Sequence, residues 1–256
     1  MLEIIIITLI GWTAGLLVNY LSDVLPVRRK ITSPFCLSCE ATQSYRNYLF
    51  WPRRCETCGK RRQIRTWIVE VIYIFIAFWL WNSPPDHLGY GVGFILLIYF
   101  GVVVVIDLEY RLILHPVSYI GGILGLIIGI WLHGFSSTII GGIAGFGIMY
   151  ALYFLGAMLA KVIAKAKNQN IDEDALGFGD VMLGGVLGLL LGWPGIVLGI
   201  VLAILIGGIV SIFYVFWLLV KGEYKTFIAI PYGPFLIAGS VSLLYFRDLI
   251  VANLIN

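Results

Sequence analysis

Residues 181–220 contain no Asp, Glu, Lys or Arg, and neither do residues 112–160. Uncharged runs of this length are too long for strands or ordinary core helices. About 20 apolar residues in a helix, each rising about 1.5 Å, cross the hydrocarbon core of a bilayer. Composition points the same way. Of the 256 residues 60% are hydrophobic and only 12% charged, about half the charged fraction of soluble domains, and the mean hydropathy is +0.97. The fold class expected is all-α, a polytopic membrane helix bundle. Eight spans are predicted, at residues 2–25, 66–81, 91–106, 117–133, 138–160, 181–193, 195–220 and 235–246. The sixth and eighth are short, and the sixth could merge with the seventh across Gly192–Gly195. The first run lacks the basic n-region and small-residue cleavage site of a secretory signal, so it is expected to be a retained helix. The pairs Gly121/Gly125, Gly141/Gly145 and Gly184/Gly188 have the spacing of small-residue helix contacts.

Charge placement gives a direction. Sixteen of the 17 Lys and Arg residues fall in the loops after the first, third, fifth and seventh spans, with Arg247 the exception. By the positive-inside rule those loops are cytoplasmic and both termini lie outside. The small net charge of +3 gives no basis for a nucleic-acid partner.

All four cysteines lie in the one long polar segment, residues 27–64, as two C-x-x-C pairs with fifteen residues between them: Cys36 and Cys39, then Cys55 and Cys58. Paired knuckles at this separation suit a tetrahedral zinc site with four thiolates. The loop is too small to bury a core of its own, the situation in which a metal folds a segment. Two disulfides are the alternative, and a cytoplasmic loop argues against them. Four protein ligands leave no position for a catalytic water, so the role expected is structural. Arg53, Arg54, Lys60, Arg61 and Arg62 beside the cysteines read as topology determinants, with contact to anionic lipid as the alternative.

Ionisable residues near membrane depth are costly and tend to be functional. Asp107 directly follows the uncharged third span, and Asp180 opens the sixth in Gly177-Phe178-Gly179-Asp180. The predicted topology puts both at one cytoplasmic edge of the bilayer, although 72 residues separate them. If the fold brings them close, they cannot both ionise comfortably, and the pair would offer a base for water and an acid for the carbonyl or leaving amine. Gly177 and Gly179 would then admit a close backbone or an extended substrate. The other reading keeps each Asp as an interfacial helix-end residue, Asp180 stabilising the start of its helix. Residues alone leave both readings open. Glu70, about a turn inside the second span, is expected either to pair with Arg65 or to line a polar site, and Asn19 to hydrogen-bond another helix. No G-x-S-x-G, Walker or H-E-x-x-H motif is present.

Taken together, several stretches resemble the prepilin peptidases, the type IV leader peptidases of the GxGD aspartic protease group. They are Ile106-Asp107-Leu108-Glu109-Tyr110-Arg111-Leu112-Ile113, Leu176-Gly177-Phe178-Gly179-Asp180-Val181 and Pro231-Tyr232-Gly233-Pro234-Phe235. Asn19 followed by Pro26, the double C-x-x-C, and Arg65 with Val69-Glu70 match in order as well. The resemblance implies residues 1–26 as first transmembrane helix, 27–64 as a cytoplasmic zinc-binding loop and 65–256 as a transmembrane GxGD protease domain. It implies cleavage of a basic leader from type IV prepilin or pseudopilin precursors at the cytoplasmic face of the inner membrane, with Asp107 and Asp180 as the catalytic pair. In many members the chain also methylates the new N-terminus from S-adenosylmethionine, using the cysteine loop. Two departures stand out. The segment Tyr45-Arg46-Asn47-Tyr48 lacks the Asp and Pro common between the cysteine pairs, and Met182 occupies a position commonly Lys. Two other classes compete: a transporter with Asp107, Asp180 and Glu70 along an ion path, and a non-catalytic anchor docking an assembly partner through the cysteine loop. Carboxylates at one membrane edge, rather than mid-membrane, disfavour the transporter. An acidic stretch, Asp172 to Asp174, could attract a basic leader or simply be a solvated loop.

Overall fold

The computed structural model describes residues 1–50, 52–167, 177–222 and 231–246, so Asp172, Glu173, Asp174 and Arg247 lie outside the described residues. Among the described residues eight α-helices follow in order: α1 (Leu2–Arg28), α2 (Tyr45–Leu49), α3 (Ile64–Asn82), α4 (Gly89–Tyr110), α5 (His115–Lys167), α6 (Phe178–Leu191), α7 (Gly195–Lys221) and α8 (Gly233–Tyr245). Among the described residues there is no strand, only two isolated β-bridges in the cysteine loop. All of this bears out the all-α expectation. Among the described residues five helices are long and apolar enough to cross a membrane. The fourth and fifth expected spans form one of these, α5, divided at Gly134, whose φ of 78° and ψ of 164° are open to glycine and strained for other residues. The sixth span does not merge with the seventh. With 14 and 13 residues, α6 and α8 are apolar, but at about 20 Å each they are shorter than a bilayer core of about 30 Å.

The chain divides into two compact units, Met1–Ile106 and Asp107–Asn256. In the first, α1 packs along α3 at short range. A Cβ on Gly11 would stand 2.6 Å from the Ile74 Cα, which is why this crossing needs a residue without a side chain. Asn19 is fully buried and donates to the Thr66 carbonyl at 3.0 Å, the interhelical bond expected of it. The Tyr73 hydroxyl donates to the Leu97 carbonyl at 2.7 Å and ties α3 to α4.

In the second unit the two arms of α5 straddle α6. Leu190 offers its carbonyl to the His133 ring on the first arm, and Ser137 on the second arm donates to the Trp193 carbonyl at 3.0 Å. Gly141 faces Gly188 and Gly145 faces Gly184, so two of the three spaced glycine pairs meet each other across one interface. Without an oil–water driving force between helices in lipid, such close backbone contact supplies the attraction. On the far side α8 packs on α7 and α6. The outer faces carry large apolar residues, Ile212 and Phe213 at 70% exposure among them, the reverse of a soluble surface and suited to lipid.

A methyl on Gly188 would run into the Gly141 carbonyl, where backbone meets backbone and neither yields. Gly188→Ala is therefore expected to cost about 1–3 kcal/mol, read as a lower Tm in detergent. Gly208→Ala adds a methyl with nothing within 4 Å. It is expected to leave stability unchanged or raise it by up to about 1 kcal/mol.

Candidate active site and metal centre

Three chain segments of the second unit converge on two buried carboxylates. Asp107 sits in the last turn of α4, which closes with Arg111 in the left-handed region (φ 51°) and its N–H on the Asp107 carbonyl. Asp180 is the third residue of α6, after the extended N-cap Gly177. The segment before α8 supplies the third part. Asp107 and Asp180 are 5% and 8% exposed. The Gly177 N–H donates to Asp180 Oδ2 at 3.2 Å, and the Gly233 N–H donates to Asp107 Oδ2 at 3.1 Å. The two carboxylates lie close enough to interact electrostatically. Asp180 Oδ1 is buried with no hydrogen-bond partner among the described residues. The fold brings Asp107 and Asp180 to one place across the 72 residues that separate them in sequence.

The helix-end reading of Asp180 is also realised, because its side chain does satisfy an amide at the start of α6. A purely structural cap, however, would have no reason to lie buried beside a second carboxylate. Gly179 is needed for packing rather than for open space: a Cβ there would stand 2.7 Å from the Ile113 Cβ. Gly177 meets nothing closer than Asp180 Oδ2, at 3.5 Å from its would-be Cβ. Phe178, between them, is 45% exposed and sits edge-on to Phe146 and Tyr153 of α5. Ile113 and Gly233 entered the sequence reading only as members of the stretches that carry the family resemblance, with no individual role. For Gly233 the available signal was a glycine between Tyr232 and Pro234 just before an apolar run, the pattern of a helix start.

The first unit carries the cysteine cluster. Two near-identical knuckles form it. In one, the Cys36 N–H bonds the Ala41 carbonyl at 2.9 Å and the turn passes through Glu40 at φ 56°. In the other, the Cys55 N–H bonds the Lys60 carbonyl at 3.0 Å and the turn passes through Gly59 at φ 69°. All four thiols are free. Their sulfurs lie within 4.8 Å of one another, with Cys36–Cys58 at 3.7 Å and Cys39–Cys55 at 3.6 Å. A tetrahedral zinc with bonds of about 2.3 Å sets sulfurs about 3.8 Å apart, so the four thiols fit a metal ion of that kind. The Cys58 backbone N–H, followed by the Gln43 side chain, pulls the Cys55 thiol down to about 6, whereas Cys39, although the Ala41 backbone lowers it, is pushed up to about 12 by burial and the other three thiols.

Buried ion pairs tie the loop to the helices, and here the structure corrects the sequence reading. Glu70 does not pair with Arg65. It takes Arg53 in a two-pronged ion pair at 2.7 and 3.0 Å and also accepts from Trp12 Nε1 at 3.0 Å. Arg65 pairs instead with Asp23, as does Arg62, and the buried Tyr48 hydroxyl donates to the same carboxylate at 2.6 Å. The reason is helical geometry. Residues five apart on a helix point about 140° away from each other, whereas neighbours are three or four apart. Arg53 and Arg62 therefore turn inward, onto the Trp67 and Tyr48 rings, rather than toward lipid headgroups. Asp23 is a key residue the sequence reading passed over. Its signal was a lone charge four positions after Asn19, hence on the same helix face.

Glu70→Gln would leave Arg53 buried without its counter-charge. A loss of about 3–5 kcal/mol is expected, measured by unfolding in detergent. Arg53→Met combined with Glu70→Gln is expected to cost less than Glu70→Gln alone, because no unpaired charge remains.

Comparison with known proteins follows the same lines. Residues 94–212 match the model of the type IV leader peptidase family. Two curated relatives, both called prepilin leader peptidase/N-methyltransferase, come from Aeromonas salmonicida and its strain A449. Each is 24% identical over 203 residues, covering 78% of this chain and 64% of the relative, so the match spans somewhat less than two thirds of the relatives' length. No solved structure matches. Residues 94–212, the stretch that holds both Asp107 and Asp180, are thus similar to the type IV leader peptidase family.

Proposed function

We propose that this protein is a membrane aspartic endopeptidase that removes the basic leader from type IV prepilin or pseudopilin precursors. The observation that carries the reading is the buried pair Asp107 and Asp180, each held by one backbone N–H, inside the segment that matches the family. In this mechanism one ionised carboxyl takes a proton from water as it attacks the scissile carbonyl. The other, protonated, donates to the carbonyl oxygen, and the leaving amine then collects a proton from the pair. The substrate lies extended across the dyad with its apolar helix still in the bilayer. The concentration of Lys and Arg in alternate loops supports a site on the cytoplasmic side of the inner membrane, where a basic leader remains.

Cys36, Cys39, Cys55 and Cys58 would hold a zinc ion, and its contribution there would be structural, since the four thiolates fill a tetrahedral shell. The name of the relatives, prepilin leader peptidase/N-methyltransferase, supports a second step, transfer of a methyl group from S-adenosylmethionine to the new N-terminal amine.

Asp107→Asn and Asp180→Asn are each expected to lower cleavage of a co-expressed prepilin by about 10²–10⁴-fold with the protein still folded. Mass analysis of the precursor N-terminus is the check, and full processing by either variant would exclude the dyad. Purified protein is expected to carry zinc in equal amount to the chain, lost in Cys36→Ser. Zinc analysis of both proteins decides this independently of cleavage.

A further inference from the structure

The start of α8 is built so that one amide is left over, and that amide meets Asp107. Four N–H groups at a helix start have no carbonyl within the helix. Here Pro234 has no N–H at all, and those of Phe235 and Leu236 both go to the Tyr232 carbonyl, at 3.0 and 3.2 Å. Gly233 alone in this turn points its N–H elsewhere, to Asp107 Oδ2 across 126 residues of sequence. Its backbone φ is not in the left-handed region, so no conformational reason demands glycine. The demand is steric. A Cβ on Gly233 would stand 2.6 Å from Asp107 Oδ2 and 3.5 Å from Ile113 Cδ1.

We propose that Gly233 is a positioning residue for Asp107, its amide fixing one carboxylate oxygen so that the other is presented to the water and to Asp180. This rests on the peptidase reading for its consequence, though not for its geometry. Asp180 is held in the same manner by the Gly177 N–H, also on Oδ2, and its Oδ1 is buried without a partner among the described residues. Two carboxylates pinned through one oxygen each, by helix starts with positive dipole ends, leave their second oxygens for chemistry. A methyl at position 233 meets the end of a side chain rather than backbone, so it displaces Asp107 instead of unfolding α8. Gly239 in the same helix is the contrast, since a Cβ there would stand 2.5 Å from the Gly199 carbonyl oxygen of α7.

The chain contains two Tyr-Gly steps, Tyr90-Gly91 and Tyr232-Gly233. Full-length protein in detergent, labelled with ¹³C-carbonyl Tyr and ¹⁵N-Gly, therefore gives two amide signals in a carbonyl-correlated NMR spectrum. The signal that vanishes in Gly233→Ala is Gly233. That signal is expected to move upfield in Asp107→Ala while the Gly91 signal stays in place, and an unmoved Gly233 signal overturns the proposal whether or not the protein cleaves prepilin. In the cleavage assay Gly233→Ala is expected to lose about a hundredfold in kcat, with KM within about twofold and Tm unchanged, whereas Gly239→Ala lowers Tm. Unchanged kcat in Gly233→Ala, or a loss of Tm matching Gly239→Ala, also overturns it. Failure of the wild-type protein to cleave, with the amide shift intact, counts against the peptidase reading and not against the Gly233–Asp107 contact.

Discussion

A carboxylate buried among apolar helices must find hydrogen-bond donors or a counter-charge, and in this protein two pairs of acidic residues meet that demand in opposite ways. Asp23 and Glu70 are saturated. Glu70 has the guanidinium of Arg53 and the indole of Trp12, and Asp23 has Arg62, Arg65 and Tyr48. Asp107 and Asp180 are also buried, yet among the described residues each receives one backbone amide, and the two carboxylates lie within electrostatic reach of each other. Ion pairing of the first kind locks elements together. Two under-bonded acids held at fixed positions are instead what general acid–base chemistry uses. The same physical demand thus separates the structural acids from the candidate catalytic ones.

The saturated pair also explains the design of the cysteine loop. Its two knuckles are short and hold no apolar core, but they place Arg53 and Arg62 against the carboxylates of α3 and α1. Glu70 sits where α1 and α3 approach so closely that Gly15 alone fits: a Cβ there would stand 2.7 Å from the Glu70 Cα. The four-cysteine cluster and the buried ion pairs accordingly tie the loop to that helix pair.

Features written in local sequence were legible. The helices follow from uncharged runs, the knuckles from C-x-x-C spacing, and the glycine seam between α5 and α6 from pairs four residues apart. Legibility failed where partners meet through the fold. For Glu70 the sequence offered Arg65 or a polar site, but helical periodicity turns Arg65 away and Arg53 arrives from the loop. Asp23 was missed because its three partners come from other segments. The proximity of Asp107 and Asp180 was an expectation of shared membrane depth, and only the hairpin of α5 around α6 gives it a physical basis. Gly233 carried no readable role, since its contact depends on where α8 begins relative to the end of α4.

The central claim is that Asp107 and Asp180 activate water directly to cut a peptide bond. Single-turnover cleavage of a prepilin in ¹⁸O-water, with the protein in excess, tests it at the level of atoms. The account predicts one ¹⁸O in the new carboxyl end of the released leader and none in the peptides containing Asp107 or Asp180. Label in either aspartate, or no cleavage by the folded protein, would contradict it.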